Sequence, residues 1–510
     1  MFLDRTLGPL SDLKGRTWDP PTILSLVERR VEQYASLGLI RSDRVFLHHG
    51  NTLEFFVDLL AVWELGGCAV PVDARLTPFE VEVLAAAAKP RFSVWKEEPE
   101  GNLAKSLSAL GVTPLAGWDK KDSPDRVAEE PRLKVKTSGL FLDDDALILF
   151  TSGTTGQPKG VVHTHRSLRA RWMSLRQSLG LDACRRTLCL LPTHFGHGLI
   201  CNCLFPWLSG QHLFVGAPFR PDLIIALGTV LDQHGITFMS SVPSVWKLAL
   251  KTAKPPASQT LKRVFCGSAP LSAALWKAVQ DWTGTHAVFN AYGITETGSW
   301  LAGTTLPDFT PEDGLVGETW GGVIRVLKSK STEIAPAFAE ECASGESGYV
   351  WVNTPALMRG YLDREDLTRE VVSRGWFVTG DIGYLDGRGC LYLRGREREE
   401  INKGGMKVYP GDVDAVVEGF AETTDVCTFA FDEPLQGEDV GIAVVLRTTD
   451  DATLRRLYDW TRLHLAKHQF PQRWYIVDEI PRTSRGKVNR STIAQRCAVL
   501  QPVDFRAILQ

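Results

Sequence analysis

Short apolar runs alternate with longer amphipathic stretches along most of the chain. Residues 45–47 predict a strand, residues 53–65 a helix, and residues 66–72 a glycine turn followed by a second strand. The same β–α–β rhythm recurs at residues 188–192, 222–234, 236–239 and 264–265. We therefore expect a layered α/β fold with largely parallel strands.

Past Gly321 the pattern changes to short alternating strands separated by glycine turns, as at residues 348–352 and 390–393. This part therefore predicts a β-rich subdomain. The whole N-terminal domain, residues 1–395, would then combine layered α/β subdomains with this β-rich one.

A charged run at residues 394–400 interrupts the apolar pattern before a new α/β stretch begins near residue 413. We place a domain boundary in this run, with a small α+β C-terminal domain over residues 399–510. A solvated turn between two strands is the more common meaning of such a run taken by itself.

Composition narrows the class of protein. A chain of 510 residues with 44% hydrophobic and 23% charged residues suits two or more domains of ordinary polarity. Its formal charge of −3 gives no strong field for nucleic acid. We find neither a signal-like N-terminus nor an apolar segment long enough for a membrane span, so we expect a cytoplasmic protein whose ten cysteines are reduced.

Hydroxyl groups, glycines and one cation follow the apolar run at residues 146–150. These residues are Thr151, Ser152, Gly153, Thr154, Thr155 and Lys159. Their composition suits a polyphosphate, and the end of a strand is where α/β proteins bind ligands. The usual phosphate loop of nucleotide hydrolases is excluded, because Pro158 and Gly160 flank the lysine. Alone, the segment could also be a surface loop.

Three further segments carry candidate chemistry. Residues 290–297 bring the aromatic ring of Tyr292 and the carboxylate of Glu296 together, which suit adenine and a metal ion; a core tyrosine before a turn is the alternative. Asp381 ends an apolar strand and could accept both hydroxyls of a ribose, or be an ordinary turn residue. Lys487 stands in a basic, glycine-containing loop that could equally be a solvated surface loop.

In this order and spacing the four segments, with residues 50–55, 266–272 and 345–361, resemble the adenylate-forming superfamily of acyl-CoA synthetases, stand-alone adenylation domains and firefly-type luciferases. The resemblance implies that a carboxylate attacks ATP to give an acyl-adenylate, and that a pantetheine thiol then takes the acyl group. It also implies a C-terminal domain that rotates about a hinge, here residues 396–398 with Arg398 at the pivot.

The resemblance further implies roles for individual residues. Lys487, Thr295 and Glu296 would be catalytic, and Glu296 and Thr151 would be ligands of Mg²⁺. The nucleotide would be bound by the loop of Thr151 and Lys159 and by Gly267, Ser268, Ala269, Asn290, Ala291, Tyr292, Gly293, Asp381 and Arg396. Tyr292 would stack on adenine, with Asn290 near its amino group. The pantetheine arm would pass Gly404 and Gly405.

The acyl pocket is expected around His194, Phe195 and Gly267. Residues 193–221 contain no aspartate to pair with an α-ammonium group, which disfavours a standard amino acid and leaves a small aromatic or medium aliphatic acid. Three functions stay open: an acyl- or aryl-CoA ligase, a stand-alone enzyme that loads a carrier protein, and a catalytically silent adenylate-binding protein. Retention of Lys487, Glu296 and Asp381 argues against the last.

Overall fold

The computed structural model describes residues 6–115, 117–118, 141–151, 158–305, 309–403, 406–434, 437–483 and 486–509. Its strands, numbered in chain order, are β1 Leu10–Asp12, β2 Thr17–Trp18, β3 Arg44–His48, β4 Cys68–Pro71, β5 Phe92–Trp95, β6 Thr113–Pro114, β7 Asp145–Thr151, β8 Lys159–Thr164, β9 Arg186–Cys189, β10 His212–Val215, β11 Phe238–Ser241, β12 Arg263–Gly267, β13 Val288–Ile294, β14 Ser299–Gly303, β15 Leu315–Thr319, β16 Val323–Leu327, β17 Gly348–Asn353, β18 Gly360–Tyr361, β19 Val372–Ser373, β20 Trp376–Leu385, β21 Leu391–Arg396, β22 Ile401–Lys403, β23 Met406–Val408, β24 Thr423–Glu433, β25 Gly437–Leu446 and β26 Arg473–Ile476.

The α-helices are α1 Pro20–Ser36, α2 Leu53–Glu64, α3 Pro78–Ala88, α4 Gly101–Ala109, α5 His165–Leu179, α6 Phe205–Trp207, α7 Pro221–Ile225, α8 Leu227–Gln233, α9 Pro243–Thr252, α10 Ala273–Thr283, α11 Glu365–Val371, α12 Pro410–Glu418, α13 Asp451–His464, α14 Arg490–Ala498 and α15 Phe505–Leu509. Single turns of 3₁₀-helix at Asp182–Cys184, Thr295–Thr297 and Glu397–Glu399, and a π-helix at His197–Leu204, complete the helical elements of the described residues.

Three sheets organise the described residues. One runs in the order β18-β8-β7-β4-β3-β5-β6, and its β4, β3, β5 and β6 are parallel to their neighbours. A longer one joins the parallel strands β9 to β13, with β1 and β2 beyond β10, to the antiparallel strands β14 to β17 and β19 to β21. The third holds β22 to β26. The expected α/β layers, β-rich part and separate C-terminal α+β unit are therefore confirmed.

The apolar cores of the described residues divide at the charged run. Two clusters, one around Ile401 and Trp474 and one around Cys427 and Tyr475, consist of residues from 401 onward. The other five contain residues up to 393 only. This division is consistent with the predicted domain boundary, although Arg396 itself ends β21 in the longer sheet.

One local expectation is incomplete and another is wrong. Residues 222–234 are helical, as the β–α–β rhythm predicts, but they form two helices, because the backbone leaves the helical run at Ala226. Just after this break Gly228 comes so close to Lys254 that a Cβ there would lie 2.1 Å from its carbonyl oxygen. Asp381 does not end its strand: β20 continues to Leu385, since β21 pairs with it from Asp381 to Leu385. An apolar pattern reports neither close backbone approach nor the length of a partner strand.

All ten cysteines are free thiols, and all but Cys342 are buried, as expected for a reduced protein. Among the described residues, no helix combines the length and the apolar character that crossing a membrane requires.

A buried ionic cluster joins α1 to α2. Asp58 accepts hydrogen bonds from Arg30 Nε at 2.7 Å and from the Tyr34 hydroxyl at 2.6 Å, while its second oxygen accepts the indole N–H of Trp118 at 2.8 Å. Burial acts to raise the pKa of Asp58, but Arg30, His49 and Tyr34 outweigh it and lower that pKa to about 2. The carboxylate is thus kept charged inside the protein by its partners.

We expect Asp58→Ala to lower the free energy of unfolding by about 3–5 kcal/mol, because Arg30 would be left buried without its counter-charge. Asp366→Ala is the control, since its pair with Arg364 is exposed and should contribute less than about 1 kcal/mol. Urea unfolding followed by tryptophan fluorescence compares the two; equal shifts of midpoint would contradict the assignment.

Candidate active site

Two neighbouring parallel strands bring the first group of predicted residues together. Gly267, at the end of β12, pairs in register with Ala291 of β13. A Cβ at Gly267 would lie 2.3 Å from the Ala291 carbonyl oxygen, so only glycine permits this approach. Ser268 follows with φ of +67°, a left-handed conformation that costs a serine energy and is often kept at functional sites. Ala269 follows it, beside the end of β13.

Tyr292 of β13, Asp381 of β20 and Arg396 of β21 form a cluster in which the first two are buried and the Arg396 side chain is 34% exposed. Asp381 and Arg396 are cross-strand partners, and Arg396 Nε lies 2.9 Å from Asp381 Oδ1. The Tyr292 hydroxyl donates to Asp381 Oδ2. The charge of Asp381 is the main cause that raises the pKa of Arg396, whereas burial and the same charge raise the pKa of Tyr292. Tyr292 and Arg396 therefore fix the position of the Asp381 carboxyl group.

A second cluster contains Glu296. The Tyr361 hydroxyl donates to Glu296 Oε1 at 2.8 Å, and Lys159 Nζ lies 5.6 Å from the centre of the Tyr361 ring. Burial and the charge of Glu296 raise the pKa of Tyr361, so its proton stays on the hydroxyl. The charge of Glu296 also raises the pKa of Arg396, which places the two clusters within electrostatic reach of each other.

The turn that carries Thr295 and Glu296 is anchored through its backbone. His163 Nε2 lies 2.8 Å from the Thr295 carbonyl oxygen, and the Met358 N–H donates to the Glu296 carbonyl at 2.7 Å. The fully buried Arg171 donates to the Thr297 carbonyl at 2.8 Å. Gly293 precedes the turn in contact with Ser299, where a Cβ would be 2.0 Å from a carbonyl oxygen.

Asn290 is also part of this strand, but its side-chain amide donates to the Leu315 carbonyl at 2.6 Å. Its predicted place near an adenine amino group stays a prediction.

Thr151 ends β7 opposite Lys159 of β8, so the predicted phosphate loop connects two antiparallel strands. Ser152, Gly153, Thr154 and Thr155 lie outside the described residues, as do Gly404 and Gly405 of the predicted pantetheine passage.

Two of the predicted acyl-pocket residues, His194 and Phe195, lie just before the π-helix. Phe195 is buried, with its ring centre 6.0 Å from that of His197, whereas His194 Nε2 faces Asp73 Oδ2 at 3.3 Å. His197 is held between Ser240 Oγ at 2.6 Å and Ser268 Oγ at 2.8 Å. Burial, with the nearby charge of Lys487, lowers the pKa of His197 to about 3, so this imidazole is neutral.

Lys487 thus lies within electrostatic reach of His197, although it belongs to the C-terminal part of the chain. Its N–H is 3.2 Å from Thr483 Oγ1, and Arg482 and Val488 form a bridge that closes the loop. Arg398, the predicted pivot, is exposed in the 3₁₀ turn Glu397–Glu399 between the longer sheet and the C-terminal one.

Several residues that complete the site were not predicted from the sequence. Tyr361 and His197 lie in segments that the sequence analysis had identified. Their side-chain types could be read there, but the groups that they contact could not. No local sequence pattern indicates a role for Ser240, His163 or Arg171. Each of them contacts a carbonyl group or ring from a different part of the chain.

The chain matches the sequence model of the AMP-binding enzyme over residues 27–362 and that of the AMP-binding enzyme C-terminal domain over residues 412–487. It is 28% identical over 487 residues to the oxalate–CoA ligase of Arabidopsis thaliana, covering 92% of this chain and 91% of that protein.

Two solved structures share the fold over 98% of this chain. ATP-bound MatB from Rhodopseudomonas palustris superposes with a TM-score of 0.84 at 24% identity and is covered over 97% of its length. The anthranilate CoA ligase AuaEII, in complex with anthranoyl-AMP, superposes with a TM-score of 0.85 at 20% identity, with 96% of its chain covered.

We expect acid to weaken the anchoring of the Thr295–Glu296 turn through His163. Burial lowers the pKa of His163 to about 4, so between pH 6.5 and 4 the unfolded chain binds a proton that the folded protein does not. Stability from this group is complete above pH 6.5 and should fall by about 2 kcal/mol between pH 7 and pH 5.

His163→Gln keeps an N–H donor but cannot titrate, so its loss of stability between pH 7 and pH 5 should be smaller than that of the unmodified protein by this amount. Urea midpoints of both proteins at both pH values test this, and the other histidines cancel in the comparison. Identical pH dependence in the two proteins would show that His163 does not contribute.

Proposed function

Because the chain belongs to the family of AMP-binding enzymes, we propose that it is an ATP-dependent, AMP-forming ligase that joins a carboxylic acid to the thiol of coenzyme A. The observation that carries this proposal is the convergence of a fixed carboxylate at Asp381, a second one at Glu296, and the cation of Lys487 within electrostatic reach of His197. These groups match, in order, the needs of a ribose, a metal-bound triphosphate and a reacting carboxylate.

Asp381 is suited to bind the ribose. An ionised carboxylate offers about four acceptor positions. Tyr292 and Arg396 occupy one on each oxygen, which leaves room for two ribose hydroxyls. The ring of Tyr292, 9% exposed at the edge of this cluster, is in place to contact the flat face of adenine.

Lys159 lies 5.6 Å from the centre of the Tyr361 ring and Arg396 is within electrostatic reach of Glu296, so we assign both cations to the phosphates. Among the described residues, no three histidine, cysteine or acidic side chains converge as a metal cage. A single carboxylate is nonetheless sufficient for Mg²⁺ that takes its other ligands from phosphates and water. Glu296, with Thr151, would hold the ion, which would supply positive charge to the departing pyrophosphate.

In the first half-reaction the substrate carboxylate oxygen forms a bond to the α-phosphorus while the bond from that phosphorus to the bridging oxygen breaks, and pyrophosphate leaves with the electron pair. Two anions must meet, so a fixed cation at their junction lowers the barrier. Lys487 has the charge and the position for this role. The neutral His197 beside it adds no competing positive charge.

In the second half-reaction the thiol sulfur attacks the acyl carbon, and AMP leaves. We assign Arg398 to the hinge and Gly404 and Gly405 to the passage for the pantetheine arm. The acid would lie against Gly267, Phe195 and His194. Since the relatives named above act on acids as unlike as oxalate and anthranilate, the choice of acid depends on this pocket.

Exchange of labelled pyrophosphate into ATP, screened over aliphatic, aromatic, dicarboxylic and amino acids with Mg²⁺ present or chelated, tests the proposal. We expect exchange that depends on one class of carboxylate and on the metal, followed by thioester formation with coenzyme A. If none of the acids supported pyrophosphate exchange, ligase activity would be overturned. Thioester formation only on a carrier protein would instead identify a carrier-loading enzyme.

We expect Lys487→Ala to reduce acid-dependent pyrophosphate exchange by about a hundredfold or more, the scale seen when one preorganised stabilising group is removed. Thioester formation from supplied acyl-adenylate and coenzyme A should largely survive. Both rates are measured on the same preparation, with the exposed Lys467→Ala as the control. Equal loss in the two assays would refute the role of Lys487.

Asp381→Asn should raise the apparent KM for ATP by about tenfold or more, because an amide accepts fewer hydrogen bonds than a carboxylate and leaves Arg396 uncompensated. Asp386→Asn, in the turn after β20, should leave this KM unchanged. Initial rates over a range of ATP concentrations make the comparison. An unchanged KM in Asp381→Asn would exclude a ribose contact.

A further inference from the structure

One face of α9 meets the C-terminal part of the chain. Ser244 and Lys247, three residues apart, lie on the same side of this helix. A Cβ built on Gly486 would be 2.7 Å from Ser244 Oγ, and Lys247 Nζ lies 2.5 Å from Glu418 Oε1 and 3.4 Å from Asp425 Oδ1. Both carboxylates belong to the sheet and helix that follow the predicted hinge.

The contact is a mostly buried cluster of charges. The side chains of Lys247, Glu418 and Asp425 are 21%, 19% and 18% exposed. Burial acts to lower the pKa of Lys247, but Glu418 and Asp425 outweigh it and raise that pKa, so the ammonium is charged. Removing one partner of such an ion pair is strongly destabilising, because the remaining charge is left buried without compensation.

The cluster continues into the loop that carries Lys487. Asp425 accepts two hydrogen bonds from Arg482, at 2.8 and 2.6 Å, and Arg482 Nη1 lies 3.4 Å from the Gly486 carbonyl oxygen. Gly486 has φ of +76° and immediately precedes Lys487. Lys247 is therefore connected through Asp425 and Arg482 to the backbone next to the proposed catalytic lysine.

We propose that Lys247 is a positioning residue that holds the C-terminal residues 401–509 in the arrangement in which Lys487 enters the site, and so supports adenylate formation selectively. The proposal rests on the ligase function proposed above. Lys247 donates to Glu418 and Asp425 only in this arrangement, because those residues move with the C-terminal part whereas α9 stays with the N-terminal one.

The selectivity follows from the two half-reactions. Adenylate formation uses Lys487 next to His197, and the ionic contacts of α9 stabilise that arrangement. Thioester transfer uses the arrangement in which this loop has withdrawn, and there the contacts of Lys247 are broken in any case. Removing them should therefore slow the first half-reaction and leave the second unchanged.

The experiment compares Lys247→Met, which keeps the length of the side chain, with Lys247→Arg and with Lys251→Met. Lys251 is exposed one turn further along α9 and serves as the control. We expect pyrophosphate exchange to fall about tenfold in Lys247→Met, the scale of coupling between contacting charged residues, and to recover partly in Lys247→Arg. Transfer from supplied acyl-adenylate should stay within about twofold in all three.

A double-mutant cycle tests the partner. If Lys247 acts through Glu418, the single variant Glu418→Gln should slow pyrophosphate exchange. The same substitution should cause little further loss of exchange in the Lys247→Met background. Additive effects would overturn this link. Equal loss in both half-reactions would indicate a general structural role, and a raised KM for the acid with an unchanged kcat would indicate a substrate contact; either result overturns the proposal.

Amide hydrogen exchange gives a readout that needs no substrate. Peptides covering residues 243–250 and 482–488 should exchange faster in Lys247→Met than in Lys251→Met, and unchanged protection would overturn the proposal. If the unmodified protein supported no pyrophosphate exchange with any acid, the ligase function would fail, whereas the hydrogen-exchange comparison would still decide whether Lys247 holds the two parts together.

Discussion

The ion pair between Asp381 and Arg396 is the contact on which the arrangement of the site depends. It joins β20 to β21, and the Tyr292 hydroxyl ties both strands to β13. Because Arg396 is the last residue of the longer sheet, the same pair fixes the point from which the chain leaves toward the C-terminal sheet. Asp381, which is assigned to the ribose, therefore also helps to fix the residue next to the predicted hinge.

The neighbouring groups of the site keep Arg396 charged and Tyr361 neutral. Asp381 raises the pKa of Arg396, and Glu296 raises the pKa of both Arg396 and Tyr361. Buried charges are costly unless each has a partner, so this set is stable only as a whole. Its rigidity is what preorganised catalysis requires, because side chains already in place need no reorganisation as charge develops.

Sequence patterns predicted what depends on neighbours along the chain. The strands around residues 45–47 and 348–352 and the helix at residues 53–65 were foreseen, because each needs only its own periodicity. The break at Ala226 was not, since it arises where Gly228 packs against Lys254. In the site, motif spacing brought Asp381, Glu296 and Lys487 together, but Tyr361, His197 and Lys247 depend on partners up to 178 residues away.

The boundary near Arg398 has a physical reason to be movable. The apolar clusters of the described residues lie on one side of it or the other, and the contacts that cross it far from the hinge include the ionic cluster of Lys247, Glu418 and Asp425. Separating apolar surfaces would expose area that water disfavours, whereas separated charges regain their hydration. A polar junction would thus permit docking strong enough to position Lys487 and weak enough to release it, as the proposed two-step reaction requires.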